Sequence, residues 1–196
     1  MNDFWFNFKL GLTHVLDINA YDHILFLIAL TVPFTFNSWK KLLWLVTVFT
    51  IGHTLSLLLA AYNVVSVNMA WVEFLIPVTI LITALFNVFT AGKGARKEKM
   101  GIHLFIALFF GLIHGLGFSS FFRMNVEGRD NKLLTLLEFA LGVEAAQIIA
   151  VLAVLIIGFV VQSVFRFNKR DWVMVISSVV IGVALPILRD TYLGLS

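Results

Sequence analysis

Ionisable side chains interrupt otherwise apolar sequence at only a few places. Asp22 and His23 open DHILFLIAL, His53 stands in FTIGHTLSLLLA, His114 in GLIHGLGFSS and Glu144 in FALGVEAAQ. A charged group in a lipid-spanning helix costs about 2.5–3.5 kcal/mol on insertion scales, so such groups face a bundle interior and mark function. Imidazole with carboxylate suits a borderline transition metal: nickel, cobalt, zinc, iron or copper. An oxygen-only set would suit magnesium or calcium. The chain has no cysteine, which removes thiolate metal sites, cysteine nucleophiles and disulfides together. His23, His53, His114 and Glu144 are the expected core of a metal site. Asp22 either lines that site or caps its helix, since an Asp at a helix start can accept a free amide. His14 and Asp17, three residues apart, either join the site or face water. Glu138 is expected at the outer rim, and His103, near the opposite end of its helix, is excluded.

The elements that position these residues follow from composition. Sixty per cent of the chain is hydrophobic and 13% charged, with a mean hydropathy of +0.98; soluble domains run near 45–50% and 25%. Lipid must therefore be the main solvent. A spanning helix needs about 20 mostly apolar residues, and six runs meet or approach that: Tyr21–Phe36, Leu42–Ala61, Ala70–Phe89, Gly101–Phe121, Leu134–Phe165 and Trp172–Tyr192. Residues 4–17 are aromatic-rich but broken by Asn7, Lys9 and His14, and read as an interfacial or re-entrant helix. The expected fold is all-α, a polytopic transmembrane bundle of about six spans plus that N-terminal helix, forming a single integral membrane domain over 1–196. Pro33, Pro77 and Pro186 mark local ends or kinks. No basic start with a small-residue cleavage site is visible, so no cleavable signal peptide is expected.

The net charge of +3 does not call for a nucleic-acid partner, because the basic residues are divided among short loops. With six spans, Lys40, Lys41, Lys93, Arg96, Lys97, Lys99, Arg166, Lys169 and Arg170 fall on one side, and Lys9, Arg123, Arg129, Lys132 and Arg189 on the other. Nine against five makes the first side cytoplasmic and puts both termini outside. Alternating helix directions then give each polar residue a depth. At 1.5 Å per residue, His53, His114 and Glu144 each lie about 10–15 Å below the outer boundary, with Asp22, His23 and Glu73 above them. Reversing the orientation inverts the set together, so the convergence does not depend on it. Thr47, Thr50, His53 and Thr54 form a polar stripe, and Gly111 and Gly115 beside His114 allow close helix approach.

GLTHVLDINAYDHILFL, FTIGHTLSLLLA, VEFLIPVTI, GLIHGLGFSS and FALGVEAAQ, in this order, resemble the HupE/UreJ family of hydrogenase- and urease-accessory membrane proteins over about residues 11–150. The resemblance implies a small helical protein of a bacterial-type inner (plasma) membrane, connected with nickel supply. It matches His14, Asp22, His23, His53, His114 and Glu144 with Gln147 to family positions, and these six of His, Asp and Glu are the candidate metal ligands. The chain departs from the family pattern at Ala140, where asparagine is usual, and at Ala146, where glycine is usual. The expected function is a transition-metal permease or metal-handling protein, with nickel leading and zinc or cobalt next. The alternatives are a metal-dependent intramembrane hydrolase or a non-catalytic assembly factor.

Overall fold

A computed structural model describes residues 3–17, 21–92, 100–126 and 131–195. Its α-helices are α1 (Asp3–Leu16), α2 (Asp22–Thr31), α3 (Trp39–Ala61), α4 (Met69–Thr90), α5 (Met100–Val126), α6 (Lys132–Ser163) and α7 (Lys169–Leu193), with a 3-10 turn at Phe36–Ser38. There is no strand among the described residues. Five of the helices, α3 to α7, are long and apolar enough to cross a membrane. Asparagine side chains accept the free amides at the starts of three of them: Asn68 from Ala70, Asn131 from Leu134 and Asn168 from Asp171. These caps carry the helices a few residues beyond their apolar runs. The loop residues Lys93, Arg96, Lys97 and Lys99 fall outside the described residues.

The first expected span has a different form. Instead of one helix over Tyr21–Phe36, α2 has 10 residues, about 15 Å, and ends just before Pro33, whose ring cannot continue the ladder. The upstream α1 has 14 residues, about 21 Å. Neither half covers a hydrocarbon core of about 30 Å, but the two follow one another along α6 in the same direction. Asn7 of α1 bonds Glu138, and Gly11 packs on Phe139 and Val143. Further along, Thr31 and Val32 line a cavity with Val154, Leu155 and Gly158. α1 and α2 thus follow one another along α6 with a combined helical length of about 36 Å, comparable with the thickness of a hydrocarbon core.

Glycines set the two closest helix pairs. α3 and α5 run in parallel, and a Cβ at Gly52 would overlap the Leu108 carbonyl, while one at Gly111 would overlap that of Phe49. At the α1–α6 crossing, Gly11 and Gly142 are pressed against the Phe139 and Phe8 carbonyls in the same reciprocal way. Small residues here replace the hydrophobic drive that lipid cannot supply between helices. Arg123 bonds Asn63 and Lys132 the Ala61 carbonyl at one end of the bundle, while Arg170 meets Gly92 at the other.

Candidate metal centre

Three histidines meet where α1 stops and α2 starts. His14 lies in the last turn of α1 and His23 is the second residue of α2. His53 lies on α3, eight residues before its end at Ala61, about 12 Å in. Ring centroids are 4.6 Å apart for His14 and His23, 5.7 Å for His14 and His53, and 5.8 Å for His23 and His53. One nitrogen from each ring falls within 4.8 Å of the others. Nitrogens on a tetrahedral ion at about 2.0–2.1 Å are about 3.4 Å apart, so small ring rotations would close the set.

Hydrogen bonding fixes which nitrogens are free. Asp22 Oδ1 accepts from the His23 backbone amide at 2.8 Å and lies 3.1 Å from His23 Nδ1. The carboxylate thus holds the proton on Nδ1 and leaves Nε2 bare. Asp22 is in this way an orienting partner of His23, the arrangement common behind metal-bound histidines. His114, on α5, has its ring 5.4 Å from that of His23 but stands outside the three-nitrogen cluster. Its Nε2 is 3.0 Å from Thr79 Oγ1, whose own proton goes to the Ile76 carbonyl at 2.8 Å. The imidazole must therefore donate at Nε2, leaving Nδ1 bare. Among the described residues, His14 Nε2, His23 Nε2, both nitrogens of His53 and His114 Nδ1 are buried without a hydrogen-bond partner. Each such atom costs about 1–3 kcal/mol if left unpaired.

Aromatic rings wrap the cluster. Phe118 lies over His14 at 3.8 Å between centroids, and Phe139 stacks near parallel to Phe118 and faces His53. On the other side, Phe26 and Phe49 pack on His114 at 5.1 and 5.3 Å. His23 and His53 are buried, whereas His14 is partly buried and the Asp22 side chain is 28% exposed.

Glu144 is placed apart from the three histidines. Its carboxylate accepts from Thr47 Oγ1 at 2.6 Å and from Thr50 Oγ1 at 2.5 Å, with Gln147 in the same group. Thr50 is three residues before His53, so this group lies about one helical turn further along α3 from the histidines. Glu138 is held by Asn7 at 2.6 Å. Glu73, expected on the entry side, is exposed on the first turns of α4. His103 packs on Phe86 near the opposite end of the bundle. Sequence reasoning missed Thr79 and the phenylalanine walls. Phe118 sits four residues after His114, a spacing that puts both on one side of α5, but phenylalanine is too common in lipid-facing helices to stand out.

Comparison with curated proteins and with solved structures gives no significant match. The HupE / UreJ protein family matches residues 1–188, nearly the whole chain, and the chain belongs to that family.

Proposed function

We propose that the chain is a transition-metal permease or metal-handling protein of a bacterial-type inner membrane, with nickel as the leading cargo and zinc or cobalt as the next candidates. His14, His23 and His53 take the ion, Asp22 orients His23 at the exposed edge, and His114 stands behind. The observation that carries this reading is the set of buried imidazole nitrogens without partners, converging from three helices. An ion would satisfy three of them at once, and three neutral imidazoles without thiolate suit reversible binding of a borderline metal. The excess of basic residues at the opposite end supports an outer location for the site and outward termini.

The test is nickel binding by the purified full-length protein, measured by competition with a chelator and by metal content after dialysis. About one ion per chain is expected, with affinity falling at least about 100-fold in His23→Ala and His53→Ala, beyond the 10–100-fold typical of orienting residues. His103→Ala is expected to leave binding unchanged. Undiminished binding in both cluster variants would end this reading. A three-histidine set with a fourth position open also suits metal-activated water, with Asp22 as base. Nickel flux into proteoliposomes supports the permease; binding without flux favours the hydrolytic centre.

A further inference from the structure

One helical turn inward from His53 there is a second polar group of different chemistry. Five side-chain oxygens gather there: both of Glu144, and those of Thr47, Thr50 and Gln147. Thr47 donates its one proton to Glu144 Oε1. Thr50 Oγ1 lies 2.5 Å from Glu144 Oε2, 2.7 Å from Gln147 Oε1 and 3.2 Å from the Val46 carbonyl, with a single proton for three acceptors. Gln147 is fully buried and its Nε2 has no partner. Turning the amide over relieves one oxygen–oxygen contact but leaves the carbonyl unpartnered in place of the nitrogen.

Charge points the same way. An ionised Glu144 places one negative charge inside the bundle, where isolated charge is costly. The basic residues Lys40 and Lys41 on α3, Lys132 on α6, and Lys169, Arg170 and Arg189 on α7 stand toward helix ends, and Lys9, midway along α1, is on an exposed face. The other titratable groups on these helices nearest its level are His53, His14, His23 and Asp22; α7 has none between Asp171 and Arg189. The group therefore lacks one positive charge, and its donors are all oxygen. A divalent ion would overcompensate, and nickel prefers nitrogen.

We propose that Glu144, Thr47, Thr50 and Gln147 form a second site, separate from the three histidines, that carries one positive charge on oxygen donors: a proton or a sodium-sized cation. The site is independent of what the histidines hold. If they carry a metal, it is the natural place for a coupling ion.

The experiment uses full-length protein in lipid nanodiscs, with transition metals chelated. Thermal unfolding is followed as sodium chloride replaces N-methylglucamine chloride at constant ionic strength, and the infrared band of a protonated carboxyl is recorded on the same samples. A saturable rise in Tm of a few degrees with sodium, absent in Glu144→Gln, identifies a sodium site. No sodium response but a protonated-carboxyl band missing in Glu144→Gln identifies a proton site. Thr50→Val, which removes only the shared hydroxyl, is expected to weaken the same response, and takes the place of Glu144→Gln should that variant not fold. Neither signal in the wild-type protein overturns the proposal. So does loss of nickel binding in Glu144→Gln, measured separately, since Glu144 would then belong to the histidine site. Failure of nickel binding in the wild type leaves the sodium and carboxyl readouts, and hence this proposal, intact.

Discussion

Two partner residues decide which face each outer imidazole presents. Asp22 fixes His23 through its Nδ1, and Thr79 fixes His114 through its Nε2. They predict opposite outcomes. Asp22→Asn keeps an acceptor but loses the charge that strengthens His23 as a donor, so nickel affinity is expected to fall about 10–100-fold by chelator competition. Thr79→Val leaves His114 Nε2 unpaired in the core, which costs about 1–3 kcal/mol of stability. Because His114 stands outside the cluster of three, nickel affinity should then stay within about twofold. An affinity loss matching that of Asp22→Asn would instead put His114 in the coordination sphere.

Among the helices, the α3–α5 pair is one of the two close joints, because backbone carbonyls press on Gly52 and Gly111. Gly111→Leu is expected to destabilise the detergent-solubilised protein by at least about 2 kcal/mol, since nothing flexible can yield. Gly182→Ala on α7, with nothing within 4 Å of the added Cβ, should be neutral or stabilising by up to about 1 kcal/mol. Thermal unfolding of the two variants side by side checks both. The five long helices were legible in the sequence because hydropathy over about 20 residues is a direct consequence of bilayer thickness. Their ends moved outward by a few residues where Asn68, Asn131 or Asn168 caps them. The succession of α1 and α2 along α6 was not legible. Residues 4–17 and 21–36 look like a surface helix and a short span, and only packing on α6 makes them one path. The histidines' depth was legible from helix rise, but their rotation about each helix was not. That is why Glu144, at a similar depth, could not be told apart from the three that meet.

Across the whole bundle, polar chemistry is concentrated toward one end and a separate cavity of about 390 Å³ opens toward the other, lined by Thr31, Thr35, Asn37, Gln162 and Trp172 among others. Between the Glu144 group and that cavity stand Leu27, Val46 and Val151, all buried in one apolar cluster. An ion leaving the histidines inward meets this layer as a barrier. Val46→Ser with Val151→Ser is expected to raise nickel entry into proteoliposomes severalfold while leaving affinity at the histidines unchanged; unchanged flux would show that the limiting barrier lies elsewhere. The glycine crossing of α1 on α6 bears on how such a barrier could open. Gly11 and Gly142 interlock with carbonyls from the opposite helix, so α1 can neither slide nor roll without a clash. The ten-residue α2 has no glycine lock of this kind, and its last turn is hung from α4 by the Asn87 bond to the Ala29 carbonyl. His14 is thus on the locked helix and His23 on the unlocked one, so a displacement of α2 relative to α1 would separate that pair of ligands first.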